Sequence, residues 1–173
     1  MTRLQRARPG HSLLTGLAIR RAEPADAAIL AALRLEFMRI VKNGGLPDEE
    51  DWLSGLSSYF GRSMARGKLL AWLCFDGDEA VASAALRMDP IRRDRAPGPG
   101  SAGAADGYIM SVYTKPAYRR RGISRALLDL AIEEGRRRGL RRLVLHPTDD
   151  GRPLYESLGF RSYRTVMTLP LEH

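Results

Sequence analysis

Cysteine is all but missing from this chain of 173 residues: Cys74 stands alone, which excludes an internal disulfide. It sits in the run Leu69-Leu70-Ala71-Trp72-Leu73-Cys74-Phe75, so a small buried side chain is expected there rather than a reactive thiol. Long apolar runs are missing too. The longest, such as Ala80 to Leu86, fall far short of the roughly 20 residues that cross a bilayer. No membrane partner is therefore expected, and the chain reads as soluble and cytoplasmic. Arg3, Arg6 and Arg8 lead the N-terminus without a hydrophobic stretch behind them, which is not the pattern of a secretory signal. Residues 1–16 read instead as a flexible basic tail, and residues 171–173 as the remnant of an expression tag. Residues 17–170 remain as one domain, a length sufficient to bury a single core. No repeat or linker divides it.

Lysine is also scarce, at 3 residues against 25 arginines, a bias that a GC-rich coding sequence would produce as well. Where the charge sits says more than its total. Between Arg119 and Arg142 there are 9 arginines against Asp129, Glu133 and Glu134, so this segment holds 6 of the 8 net positive charges. A cluster of that kind serves a polyphosphate ligand as well as a nucleic-acid backbone. Aromatic side chains that could stack on bases do not accompany it, since only Tyr113 and Tyr118 flank the run, which weighs against nucleic acid.

The apolar pattern divides the chain into short elements. Leu17 to Arg20 reads as a strand. Pro24 to Arg39 reads as a helix with Ile29, Leu33, Phe37 and Ile40 at helical spacing. Asn43-Gly44-Gly45 breaks it, and Pro47-Asp48-Glu49-Glu50 opens a second helix with an acidic first turn, running to Arg66. Leu69–Phe75 and Ala80–Met88 flank Asp76-Gly77-Asp78-Glu79, a hairpin signal. Pro90 to Ala105, rich in Pro, Gly and Arg, reads as a mobile loop bordering a site. From Tyr108 a strand runs to Thr114, and a helix follows with Ile123, Leu127, Leu130 and Ala131 inward until Gly139 ends it. The strand Leu143-Val144-Leu145 completes a β-α-β unit with two parallel strands. Arg152 to Leu158 makes a short helix stopped by Gly159, and Phe160 to Leu169 supplies the last strands.

The segment Arg119-Arg120-Arg121-Gly122-Ile123-Ser124-Arg125 stands between a strand and the start of a helix. Helix N-termini present unpaired N–H groups and partial positive charge, and a glycine lets the backbone approach a bulky anion. This is the composition of a phosphate site.

Together with Tyr155-Glu156-Ser157-Leu158-Gly159-Phe160 further on, this segment makes the chain resemble the GNAT acetyltransferase superfamily over roughly its last 65 residues, the N-terminal half fitting only in its order of elements. The family's acetyl-CoA loop reads Gln/Arg-x-x-Gly-x-Gly/Ala, and the chain has Arg119-x-x-Gly122-x-Ser124 after the strand Ile109–Thr114 and Pro116. Its Tyr-x-x-x-Gly-Phe segment is matched from Tyr155. Three departures stand out: Ser124 for Gly or Ala, Thr148 for an Asn that often precedes the tyrosine, and Gly151 for an Ala. No acid lies between Ile109 and Tyr113, where some members keep a Glu.

The resemblance implies an α/β fold of the GNAT kind, a mixed, mostly antiparallel twisted sheet of about 6–7 strands with a splayed parallel pair, flanked by about four helices. It implies an N-acetyltransferase that moves an acetyl group from acetyl-CoA, with no metal, to a primary amine of a small molecule or peptide, by direct attack in a ternary complex. Arg119, Arg120, Arg121, Gly122, Ile123, Ser124 and Arg125 would hold the pyrophosphate. Val112, Tyr113 and Thr114 would pair through their backbone with the pantetheine arm, and Tyr155 would face the sulfur. A non-catalytic acetyl-CoA sensor and a basic nucleic-acid-binding module are the alternatives, and a homodimer is open by analogy.

Acyl transfer needs a neutral amine, a polarised carbonyl and a stabilised thiolate. A backbone N–H near Val112 is the candidate for the carbonyl oxygen. With a phenol near 10 and a thiol near 8.5, full proton transfer from Tyr155 is uphill by roughly 2 kcal/mol, so hydrogen bonding is its expected contribution. Glu36, Asp106 and His146 are candidates for the amine's base, and the sequence does not choose among them.

Overall fold

The structure, a computed structural model, describes residues 14–43, 48–88, 106–163 and 166–171. The loop expected over 90–105 lies outside the described residues, as does the tail up to residue 13. Elements follow in the order β1 (Leu17–Arg21), α1 (Ala27–Val41), α2 (Glu49–Ala65), β2 (Leu69–Asp76), β3 (Glu79–Arg87), β4 (Asp106–Thr114), α3 (Ile123–Arg137), β5 (Arg142–Leu145), α4 (Arg152–Ser157), β6 (Arg161–Tyr163) and β7 (Val166–Pro170). One 7-stranded sheet has the order β1-β2-β3-β4-β5-β7-β6. Among the described strands β4 and β5 alone pair in parallel, joined across α3, and every other neighbouring pair is antiparallel. The expected α/β class, with a mixed sheet and its parallel pair, is what the chain adopts.

Local chemistry explains the boundaries. The hairpin between β2 and β3 pairs Asp76 with Glu79 across Gly77-Asp78, and Gly77 takes φ +56°, the glycine-first pattern of a type II′ turn. The helix expected from Pro24 begins as a single 3-10 turn over Pro24–Asp26. The Asp26 carboxylate causes it, accepting from the Glu23 N–H at 2.8 Å and from Arg20 at 2.7 and 2.8 Å. Asp48 caps α2, accepting from the Asp51 N–H at 3.2 Å.

The sheet is covered on both faces. On one, α1 and α2 bury Leu30, Ala31, Leu33 and Phe60 against Leu69, Ala71, Leu73 and Ala85. On the other, α3 buries Ile123, Leu127, Leu128, Ala131 and Ile132 against Leu86, Ile109, Leu143 and Leu145. Each such fully buried leucine or isoleucine contributes about 1.5–3 kcal/mol. Cys74 is buried here as expected, and burial pushes its thiol up to about 11. Two expectations need correction. Ile40 is 49% exposed, because the buried stripe of α1 runs through Ala27, Leu30, Ala31, Leu33 and Leu35. Leu171, set aside as tag, is core: it is 5% exposed and its N–H donates to the Arg141 carbonyl at 2.8 Å.

What positions the site is the divergence of β4 and β5. They pair only over Asp106–Arg142, Gly107–Leu143 and Tyr108–Val144. Gly107 permits that closeness: a Cβ there would lie 2.7–2.8 Å from methyls of Leu143, Leu140 and Leu86. Asp106 locks the same end, accepting from Arg141 at 3.0 Å and Arg142 at 2.8 Å. Beyond Tyr108, β4 continues to Thr114 with β3 on one side and no partner strand on the other.

Candidate active site

The open edge of β4 carries a bulge. Its register with β3 shifts between Ser83 and Ala85, and Ser111 takes φ +53°. A non-glycine residue there is strained by about 1–3 kcal/mol and needs support from its surroundings. The support is visible: the buried Ser83 hydroxyl donates to the Ser111 carbonyl at 2.8 Å. The bulge also changes which residues share a face. Ile109 and Val112, three apart, both pack toward α3, while Met110 and Tyr113 both pack toward α1. A regular strand would have repeated every second residue. The backbone of Val112 and its neighbours thus lies along an edge with hydrogen-bonding capacity to spare, the property expected of an arm-pairing strand.

At the mouth of the opening stands the Arg/Gly loop. Arg120 has φ +63° and Gly122 φ +80°, which turn the chain sharply into α3. A Cβ on Gly122 would meet nothing within 4 Å, so the space beside it is open. Gly122 caps α3 without any side-chain hydrogen bond, and among the described residues the N–H groups of Arg120 through Arg125 take no backbone acceptor. Free N–H groups at the N-terminus of a 15-residue helix, next to open space, suit a pyrophosphate. The residues of the loop divide the labour. The Arg119 Nε donates to the Thr114 carbonyl at 3.2 Å, which folds the loop back on β4. Arg120 is exposed, and Arg121 stacks 5.5 Å from the Tyr118 ring. Ile123 is 1% exposed, leaving only its backbone for a ligand. The Ser124 hydroxyl shares a 2.8 Å hydrogen bond with Thr114, so it ties α3 to β4. Arg125 reaches Ser157 of α4 at 3.0 Å.

Four further arginines of the basic segment are paired within the fold. Arg137 and Arg138 bind Glu134 at 2.6 and 2.7 Å, and Arg141 and Arg142 bind Asp106.

Tyr155, on α4, is 8% exposed. Its ring meets Phe160 edge-on at 5.9 Å, and burial, with a smaller contribution from Tyr108, pushes its hydroxyl up to about 12. No described residue hydrogen-bonds that hydroxyl. Gly151 and Thr148, the two departures near it, have structural explanations. Thr148 organises the turn into α4, its hydroxyl accepting from the Gly151 N–H at 3.3 Å. A Cβ on Gly151 would stand 3.0 Å from the Tyr155 ring, so the glycine makes room for it.

The candidate bases separate clearly. Asp106 is at the closed end of the parallel pair, held by two arginines, and away from the opening. Glu36, on α1, accepts from the Tyr113 hydroxyl at 3.2 Å and lies 3.8 Å from Lys115; burial first, then Glu36, raises the Tyr113 pKa. The Tyr113 side chain thus belongs to the α1 face, and only its backbone lies on the open edge. His146 follows β5 and shares a 2.9 Å hydrogen bond between its Nδ1 and the Tyr108 hydroxyl. That contact spans the apex where the two strands part. Sequence reasoning passed over Tyr108, Arg34 and Arg87. The signal that existed was an arginine four residues from the buried Leu30 on α1.

A family model described as the acetyltransferase (GNAT) family matches residues 30–160. The chain belongs to the GNAT acetyltransferase family. It is similar to a predicted acetyltransferase from Clostridium acetobutylicum crystallised with acetyl-CoA, at 26% identity and TM-score 0.73, covering 86% of this chain and 92% of that one. A GCN5-related N-acetyltransferase from Ralstonia eutropha is similar at 25% identity and TM-score 0.72, covering 86% and 95%. In sequence, glucosamine 6-phosphate N-acetyltransferase of Trypanosoma brucei brucei is 36% identical over 69 residues, which are 40% of this chain and 47% of that protein. This GNAT chain therefore aligns with about half the length of that curated relative. No helix among the described residues is long and apolar enough to cross a membrane, and no group of His, Cys, Asp and Glu among them could hold a metal ion.

Proposed function

We propose that the protein is an N-acetyltransferase acting on a primary amine, with acetyl-CoA as its cosubstrate, by direct transfer within a ternary complex. The observation that carries this reading is the parting of β4 and β5 beyond Tyr108 and Val144, with the unpaired N–H groups of the α3 N-terminus at its mouth.

Acetyl-CoA would supply an activated acyl group: the amine nitrogen bonds to the carbonyl carbon, the C–S bond breaks, the sulfur keeps the electron pair, and the nitrogen gives up a proton. The protein's residues set the conditions for that exchange. The N–H groups from Arg120 to Arg125, with the guanidinium groups of Arg120 and Arg121, hold the pyrophosphate. The bulged backbone at Val112 would offer an N–H to the carbonyl oxygen, where negative charge develops. Tyr155 donates to the departing sulfur. With a phenol at about 12 and a thiol near 8.5, complete transfer of its proton would be uphill by about 5 kcal/mol, so Tyr155 acts as a hydrogen-bond donor throughout. Glu36 and His146 remain as acceptors of the amine's proton, directly or through one water.

The test has two stages. Acetyl-CoA should raise the melting temperature at constant salt, as a ligand of the native state does, and a nucleic-acid oligomer should not. Thiol release should then be measured over a panel of amines that includes glucosamine 6-phosphate, suggested by the Trypanosoma relative. Stabilisation by acetyl-CoA without release from any amine would leave a sensor and remove the enzyme.

A further inference from the structure

Two arginines on the α1 face of the sheet have no carboxylate partner among the described residues. Arg87 ends β3, paired in register with Tyr108, and its guanidinium lies 5.1 Å over the Tyr108 ring. Its Nε is sealed from solvent and has no hydrogen-bond partner. A buried donor left unmade costs about 1–3 kcal/mol, and because it is sealed, contact with a ligand would fall to the outer nitrogens of the guanidinium. Arg34 approaches from α1. It stacks 5.1 Å over Phe37 and is near enough to Tyr108 for the two to interact electrostatically. Burial lowers its pKa, an effect that a carboxylate beside it would have reversed. Tyr108 itself holds His146 at 2.9 Å and interacts with Tyr155. The carboxylates flanking β4 are committed elsewhere, Glu36 to Tyr113 and Lys115, Asp106 to Arg141 and Arg142.

We infer that Arg34 and Arg87 seat an anionic group of the acceptor, so that the substrate is a primary amine carrying a phosphate or carboxylate several bonds from the nitrogen. The inference rests on the acetyltransfer reading above and names the substrate class for that site. Arg34 rests on Phe37 and Arg87 on Tyr108, and two guanidinium groups that both interact with Tyr108 suit such an anion, because their planar forks bind its oxygens in pairs. Placement fixes the spacing. Val112, where the carbonyl would be polarised, is four residues along β4 from Tyr108, at most about 13 Å of strand. The body of the acceptor would cover that span. Glu36 lies toward the Thr114 end, opposite in sign to the arginines. The site is therefore dipolar along β4, as a molecule with an amine at one end and an anion at the other requires.

The experiment compares amines that differ only in the anion, at saturating acetyl-CoA so that the Arg/Gly loop is occupied. Glucosamine 6-phosphate against glucosamine tests a phosphate, and 6-aminohexanoate against hexylamine tests a carboxylate. The anionic member of one pair should have a kcat/KM about 10- to 150-fold higher, the range expected for hydrogen bonds to a charged group. Arg34→Gln and Arg87→Gln should each erase most of that preference by raising KM for the anionic amine, with KM for acetyl-CoA and the melting temperature unchanged. A parallel reading needs no turnover: with coenzyme A bound, glucosamine 6-phosphate should stabilise the protein more than glucosamine, and Arg34→Gln should remove the difference. Equal use of charged and neutral members, or a preference for spermidine, overturns the anion seat while leaving acetyl transfer intact. Absence of thiol release with every amine, together with unequal stabilisation by the two sugars, overturns acetyl transfer while leaving the seat.

Discussion

Replacing Tyr155 by Phe removes a hydroxyl that no described residue satisfies and leaves the ring packed against Phe160 at 5.9 Å. Stability near neutral pH should therefore change by less than about 1 kcal/mol. Activity should not be so forgiving. If the hydroxyl donates to the sulfur as it becomes a thiolate, its loss costs the value of a hydrogen bond to a charged group, about 1.5–3 kcal/mol, or roughly 10- to 150-fold in kcat. KM for acetyl-CoA should stay the same, because the interaction strengthens only as charge develops. The pH dependence separates this from a general loss of packing. The folded pKa of about 12 stands above the ordinary value of 10.0, so the folded state favours the protonated phenol. The corresponding stability is complete below pH 10 and is lost as pH rises through 12, by about 2–3 kcal/mol for one group. In the Phe variant that portion of the alkaline destabilisation should vanish. Stopped-time thiol release and thermal melts between pH 7 and pH 11.5 measure both. A kcat within twofold of the parent, or a loss of kcat that tracks a lowered melting temperature, refutes the donor role.

Other expectations follow from single contacts. Glu134 is held well below the usual carboxylate range, at about 2, by Arg137 first and by Arg138. Its ion pairs should stabilise the protein above about pH 4.5 and fail as pH falls through 2; Glu134→Gln should cost about 1–2 kcal/mol at pH 7 and only about a quarter of that at pH 2.5, read by chemical denaturation. Gly107→Ala should cost about 1–3 kcal/mol, since its Cβ would meet three leucine methyls at 2.7–2.8 Å. Asp106→Asn should lower stability by about 1–2 kcal/mol, as its two arginine partners are partly exposed, yet change kcat less than about threefold; a tenfold fall in kcat would return Asp106 to the list of bases. Gly122→Ala should meet no steric obstacle but pay about 1–2 kcal/mol for its left-handed φ of +80°, and a melt with acetyl-CoA should show a smaller stabilisation than in the parent.

The fold was legible because its signals are local. Alternating and 3.6-residue patterns, a glycine-led hairpin and a glycine after each late helix place the elements to within a few residues, and the Arg119–Arg125 segment announces an anion site by composition. Errors arose where a tertiary contact overrides a local pattern. Ile40 fits the periodicity of α1 but is half exposed, beyond the buried residues of that helix, which end at Leu35. Leu171 looks like a disposable end, yet Gly135 leaves a space that its side chain enters, with a Cβ on that glycine only 3.1 Å from Leu171 Cδ1.

The site was legible only in the half that belongs to one continuous segment. The loop, its helix and Tyr155 all lie within a β-α-β-α stretch whose spacing is fixed by chain connectivity. The proposed acceptor side instead joins α1, β3, β4 and the end of β5, four elements far apart in sequence, and no short pattern spans them. Ser83 and Ser111 illustrate the limit: both read as polar residues in strands, and only their 2.8 Å contact reveals that one supports the bulge in the other's strand. The same holds for charge. Arg34 and Arg87 were two among 25 arginines, indistinguishable by type from Arg141 and Arg142. What separates them is the presence of a carboxylate beside one pair and its absence, within the described structure, beside the other. On the proposed reading Arg34 and Arg87 serve a ligand that brings the acid, whereas Arg141 and Arg142 stabilise the fold through Asp106.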